Sequence, residues 1–173
     1  MSRHNEATTM LKIYDDEIKL SESAAQFICD AAGKNILEKG NFFLVLSGGE
    51  TPLKTYQLLA NNFHDRIDWK KVLIFFGDER YVPKNDVQSN FSMANEALLR
   101  HVPIPEENIF PIPTNSTPAI DALNYEKTLR QIFHESFPRF DLVMLGLGEN
   151  GHTASLFPHI EILHEKTRWV KEV

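Results

Sequence analysis

The chain is short of cysteine, of long apolar runs and of positive charge, and each shortage removes a class of protein. Cys29 is the single cysteine among 173 residues. One thiol cannot close an internal disulfide, so stability must come from an apolar core, as in proteins of a reducing compartment. No stretch approaches the roughly 20 consecutive apolar residues of a bilayer-crossing helix. The opening MSRHNEATTM lacks the apolar centre of a secretory signal. These features predict a cytoplasmic protein with no membrane partner. Eighteen Lys and Arg stand against 24 Asp and Glu, a net charge of −6 with no basic stripe, which excludes nucleic acid as the main partner. A small anion remains open to such a chain, because local amides and one or two arginines outweigh distant net charge. There is no internal repeat and no low-complexity segment.

What is present is an alternation of strand and helix signals. Residues 11–14 read as a short first strand. Ser21 is placed to cap a helix with Ala25, Ile28, Ala32 and Ile36 at helical spacing, ending near Gly40. Residues 42–46 (FFLVL) and 72–76 (VLIFF) are continuously apolar, as strands covered on both faces are. Thr51-Pro52 supplies an N-cap followed by proline in the first turn of the next helix. Residues 89–99 predict a helix with Phe91, Ala94 and Leu98 on one face. Five of the nine prolines fall in 103–118, an extended connection with a short strand near Ile109-Phe110. Residues 118–135 predict a helix with Ile120, Leu123, Leu129 and Ile132 inward. Residues 141–145 (DLVML) predict a third strand, and a helix begins near Gly151. The pattern continues unchanged across the proline-rich connection, so residues 1–173 are expected to form one α/β domain, a mostly parallel three-layer sheet with helices on both faces.

In such sheets ligands bind beyond the carboxyl ends of the strands. Six of the eight glycines (Gly48, Gly49, Gly77, Gly146, Gly148, Gly151) follow the three strongest strands and so gather at one sheet edge. Three loops carry them. Residues 47–52 (SGGETP) are either a tight turn or a phosphate cradle, in which Ser47, Gly48, Gly49 and Thr51 meet the anion at a helix N-terminus; Glu50 would have to point away. Residues 77–80 (GDER) are either a surface ion-pair cluster or an anion clamp, Arg80 steadied by Asp78. Residues 146–152 (GLGENGH) match the pattern GxGxxG, with Glu172 about twenty residues on, where a ribose-binding acid would fall. Pro158 comes too soon for the long helix of a dinucleotide fold, and that reading leaves the other loops unexplained. His152, expected at a helix N-terminus that disfavours the imidazolium, is the candidate general base. His4, His64, His101, His134, His159 and His164 have no such setting. His159 and His164, five apart, are badly spaced for a shared metal. No metal is expected.

At these residues the chain resembles the 6-phosphogluconolactonases, within the superfamily that includes glucosamine-6-phosphate deaminase. The matching blocks are SGGETP (47–52), FFGDERYVP (75–83), the SN of QSNFSMANEALL (88–99) and DLVMLGLGENGHTASLFP (141–158), in family order across most of the chain. The resemblance implies a Rossmann-like α/β fold, a phosphorylated sugar lactone as the small-molecule partner, no cofactor, and a monomer or weak homodimer. The implied reaction is hydrolysis of 6-phospho-D-glucono-1,5-lactone to 6-phosphogluconate in the oxidative pentose phosphate pathway. His152 would be the base, Arg80 and amides near Gly148 would hold the oxyanion, Asp78 would position Arg80, and Gly148, Asn150 and Gly151 would line the substrate. The deaminases resemble one another in an Asp-Glu-Tyr where Arg80 stands here, and in an acid where Asn150 stands. Many lactonases also carry Asp at that position, so Asn150 is a departure that removes a partner expected to orient His152. Family members also continue past the point matching Val173, and a basic residue from that further part would help hold the phosphate. Residues 168–173 read as a strand with nothing after it, so more chain is expected to follow. Two other readings remain: a deaminase-like isomerase, and a non-catalytic sugar-phosphate sensor, which would usually carry a helix-turn-helix.

Overall fold

The structure is a computed structural model that describes residues 9–173; His4 and the rest of residues 1–8 lie outside it. Its centre is a three-stranded parallel sheet in the order β2-β1-β3, with β1 Phe42–Leu46, β2 Val72–Phe76 and β3 Leu142–Val143. β1 and β2 pair over their full lengths, Phe42 opposite Val72 and Leu46 opposite Phe76. Both strands are apolar throughout because each side chain has a core to enter. Phe42, Leu44, Leu46, Val72, Ile74 and Phe76 point into one core, with α1 (Glu17–Lys39), α2 (Glu50–Asn62) and α3 (Asn90–Ala97). The alternate residues Phe43, Val45, Leu73 and Phe75 face α4 (Pro118–Ile132) on the other side. Each such side chain, fully buried, contributes about 1.5–3 kcal/mol. The second face is mostly aromatic: Phe75 stacks on Phe110 at 5.0 Å between centroids, and Phe133 stands edge-on to Phe43 and Phe140.

Several local expectations are corrected. Residues 11–14 form no strand; Leu11 and Ile13 lie exposed without a pairing partner among the described residues. α1 starts four residues ahead of Ser21, because the Asp16 carboxylate takes the N-cap and accepts from the Lys19 amide, while Ser21 is buried inside the helix. α2 starts at Glu50 with Gly49 as N-cap, so Thr51 caps nothing. α4 ends at Ile132, short of Glu135, where His134 and Glu135 turn to positive φ. Its buried face is Ala122, Tyr125, Glu126 and Leu129, with Ile120 and Leu123 exposed. β3 keeps two of its five expected residues. The Ile109 strand is a single bridge to Ile74.

No helix begins near Gly151; the first helical turn after it is a short 3-10 turn, Glu161–His164. Residues 150–160 are turns with one bridge, Thr153 to Leu156, and Gly151, Ala154 and His159 have positive φ. Pro158 removes an amide from what would have been the second helical turn. Residues 168–173 are not a strand either: the Glu126 carboxylate on α4 takes the Arg168 guanidinium and the Val170 amide.

Candidate active site

The sheet presents its carboxyl edge through two tyrosine clamps, one from each face. Tyr56 of α2 accepts from the Ser47 amide at 3.0 Å and donates to the Ser47 carbonyl at 2.9 Å. Tyr125 of α4 does the same to the backbone of Phe76, at 3.2 and 3.4 Å. Burial pushes both hydroxyls up, out of reach of ionisation near neutral pH. The ends of β1 and β2 are therefore pinned where the first two loops leave them. Because the Ser47 amide serves Tyr56, it does not belong to an anion cradle. The amides of Glu50 and Thr51 have no acceptor among the described residues, no side chain caps α2, and Pro52 has no N–H. The donors of the first loop without an acceptor among the described residues are thus the amides of Gly48, Gly49, Glu50 and Thr51.

Gly48 is where the first loop meets the second. A Cβ there would stand 1.9 Å from Asn90 Oδ1, so only glycine allows the contact. Asn90 is buried at the start of α3, and its Nδ2 donates to the Asp78 carbonyl and to Asp78 Oδ1, at 3.0 and 3.2 Å. Asp78 Oδ2 accepts from Ser155 Oγ of the third loop at 2.7 Å. One chain of contacts, Gly48–Asn90–Asp78–Ser155, joins all three loops. Asp78 is spent in that chain and makes no hydrogen bond to Arg80, so the expected Asp78–Arg80 pairing is absent.

Glu79 has a structural task. Its carboxylate accepts from the amides of Asn90 at 2.6 Å and Phe91 at 2.9 Å, closing the N-terminus of α3. It also takes the Ser89 hydroxyl and the Arg80 amide. Ser89, Asn90 and Glu79 were absent from the expected site set. The Ser-Asn pair at a helix start was a legible signal for Asn90, whereas Glu79 looked like one more surface acid. The guanidinium of Arg80 is exposed and has no acceptor among the described residues.

In the third loop His152 folds back over Gly148, where a Cβ would lie 2.0 Å from His152 Cε1. The Gly148 amide donates to the His152 carbonyl at 2.8 Å, so it is not a spare oxyanion donor. Asn150 does orient the imidazole, contrary to expectation. Its Oδ1 accepts from the His152 amide at 3.2 Å and lies 2.5 Å from Nδ1. An oxygen that already takes an N–H is an acceptor, so Nδ1 carries the ring proton and Nε2 has the free lone pair. The ring also packs on Phe157, 4.6 Å between centroids. Gly151 supplies the positive-φ turn that brings Asn150 and His152 together.

His152, Arg80, Asp78 and Ser155 share the lining of one open cavity of about 1070 Å³ between the strand ends, α4 and the C-terminal segment. Ser47, Gly48, Gly49 and Thr51 lie outside that lining. Among the described residues no three His, Cys, Asp or Glu side chains stand close enough to hold a metal.

Residues 15–173 match the model of the family described as glucosamine-6-phosphate isomerases/6-phosphogluconolactonase. The chain is similar to the 6-phosphogluconolactonase of Nostoc sp., with 38% identity over 92% of this chain and 67% of the relative. It is 45% identical to that of Synechocystis sp. over 83% of this chain and 60% of the relative. The chain thus spans about two thirds or less of these relatives' length. Among solved structures it is similar to 6-phosphogluconolactonase from Trypanosoma cruzi, with TM-score 0.79, 30% identity, and 95% of this chain and 69% of that one covered. The enzyme from Thermotoga maritima gives TM-score 0.74 and 34% identity over 83% of this chain and 62% of that one. By this measure the chain belongs to the glucosamine-6-phosphate isomerase/6-phosphogluconolactonase family.

Proposed function

We propose that this chain carries the active site of a lactonase that hydrolyses 6-phospho-D-glucono-1,5-lactone to 6-phosphogluconate, in the cytoplasm and in the oxidative pentose phosphate pathway. The observation that carries this reading is the imidazole of His152, fixed through Nδ1 on Asn150, in the same cavity as the guanidinium of Arg80, with neither Nε2 nor the guanidinium bonded to any of the described residues. Nε2 takes a proton from water as the water oxygen bonds to the lactone carbonyl carbon. The carbonyl oxygen becomes an oxyanion, which Arg80 stabilises by about 3 kcal/mol, the usual size for one oriented donor. The bond from that carbon to the ring oxygen then breaks, and the ring oxygen leaves with the proton held by His152. The product carboxylic acid ionises in water. The phosphate is held at the uncapped start of α2, by the Gly48, Gly49, Glu50 and Thr51 amides and the Thr51 hydroxyl. Asp78, tied to Asn90 and Ser155, holds the loops in register and does not orient Arg80.

A δ-lactone opens slowly in water unaided, so this site needs only a base and an oxyanion donor. The test is acid release from freshly made lactone above the spontaneous rate. His152→Ala is expected to lose about 100-fold or more in turnover with the fold intact. Near-full turnover by that variant overturns the role of His152. Ammonia release from glucosamine 6-phosphate would move the chain to the isomerase branch, and binding of 6-phosphogluconate without any turnover would make it a sensor.

A further inference from the structure

Arg80 stands between two residues that are each tied to a different helix. Before it, Glu79 is bound to the first amides of α3. After it, the Tyr81 hydroxyl donates to Asp121 Oδ2 on α4 at 2.8 Å. The same oxygen accepts from the amides of Asn115 and Ser116, at 2.8 and 2.9 Å. Asp121 is 1% exposed, so the carboxylate is a fixed post where the loop after β2, the proline-rich connection and the start of α4 meet. The Arg80 guanidinium is exposed and has no acceptor within the protein among the described residues, although its amide donates to Glu79. A loop fastened on both sides of one unengaged side chain presents that side chain.

We propose that Tyr81 and Asp121 are positioning residues that hold Arg80 over the cavity, a role that rests on the lactonase reading of the site. Both side chains border the same cavity, but the Tyr81 hydroxyl and Asp121 Oδ2 are bonded to each other, and the role assigned to them is exercised through the guanidinium. Without the Tyr81 hydroxyl the loop keeps its Glu79 fastening and loses the other, so Arg80 samples positions away from the developing oxyanion. A misplacement near 1 Å is enough to cost one to two orders of magnitude in rate. Because the oxyanion exists only after attack, the loss belongs in kcat more than in KM.

Two measurements test this, with Tyr81→Phe as the main variant and Asp121→Asn as the second. The first is trypsin cleavage of the folded chain at the Arg80–Tyr81 bond, followed by mass spectrometry. Several-fold faster cleavage in both variants, at unchanged circular dichroism, is expected; unchanged cleavage overturns the anchor. The second is lactone turnover. Tyr81→Phe is expected to lower kcat about tenfold, and to add little in an Arg80→Ala background, where there is no guanidinium to misplace. An equal loss in both backgrounds, or no loss in the parent, overturns the positioning role. If the parent chain shows no turnover above the spontaneous rate, the lactonase reading fails by itself, and the cleavage measurement still decides whether the anchor exists.

Discussion

At the scale of single residues, two glycines separate packing from chemistry. Gly48 and Gly148 both refuse a Cβ, but against different neighbours. At Gly48 the obstacle is the amide of Asn90, buried and bonded to Asp78, which has nowhere to go. Gly48→Ala is therefore expected to cost about 1–3 kcal/mol of stability, the usual size of overpacking, and thermal unfolding checks it. At Gly148 the obstacle is the half-buried ring of His152, held only by Asn150 and Phe157, which can swing away. Gly148→Ala is expected to keep its melting temperature within a degree or two and to lose most of its turnover, because the base has left its place. A Gly148→Ala protein with parental kcat would show that the folded-back imidazole is not the working geometry. Residue chemistry was partly legible in the sequence. His152 and Arg80 stood out because their types fit the reaction and their loops follow strands. The two tyrosine clamps were not legible: Tyr56 and Tyr125 occupy ordinary core positions of their helices, and nothing local says that their hydroxyls reach a strand end.

At the scale of elements, the strands over 42–46 and 72–76 could be read because burial on both faces leaves an unbroken apolar run. The third strand is shorter than its apolar run. Its apolar residues continue to Leu145, but pairing with β1 covers only Leu142–Val143, and Leu145 is 60% exposed. Its start is fixed by a side chain. Asp141 Oδ2 accepts from the Phe43 amide at 2.8 Å, and the other carboxylate oxygen meets Lys39 at the end of α1. A carboxylate that bridges a strand amide and a helix-end lysine does for β3 what its short ladder cannot. Asp141→Ala is expected to cost about 1–3 kcal/mol, since it strands a part-buried amide, and to speed hydrogen exchange at β3 before β2. Equal protection of the two strands in the variant would show that the ladder alone suffices. The absent helix after Gly151 belongs to the same scale. A helix is expected to begin near Gly151, but Pro158 and the positive-φ residues turn the chain back on itself, and the orientation of His152 comes from Asn150 in place of a helix end.

At the scale of the whole molecule, the two faces of the sheet are held by different forces, and acid separates them. The face carrying α1, α2 and α3 rests mainly on apolar packing, its carboxylates Asp16 and Glu79 serving the starts of single helices. The face carrying α4 adds two carboxylates that fasten distant segments. Asp121 is held below the ordinary carboxyl range: burial works to raise it, and the Ser116 amide, the Tyr81 hydroxyl and the Asn115 amide outweigh that burial. Glu126 is likewise held low, burial being outweighed by Arg168, Arg130 and the Val170 amide. A carboxyl depressed on folding stabilises the native state fully above its unfolded pKa, about 4, and loses that contribution as pH falls toward its folded value. Stability should therefore be level near neutrality and drop below about pH 4. The loss should begin with the segments these two groups hold, residues 113–117 and 165–173. Hydrogen exchange read by mass spectrometry is expected to show those segments opening in acid while β1 and α1 stay protected. Glu126→Gln should melt lower than the parent at neutral pH, and should lose less of its remaining stability on acidification, because the titrating latch is gone. Uniform opening of both faces in acid would mean that the two carboxylates fasten nothing, and an acid limb as steep in Glu126→Gln as in the parent would mean that Glu126 is no titrating latch. In that second case the C-terminal wall of the cavity owes nothing to the charge of Glu126.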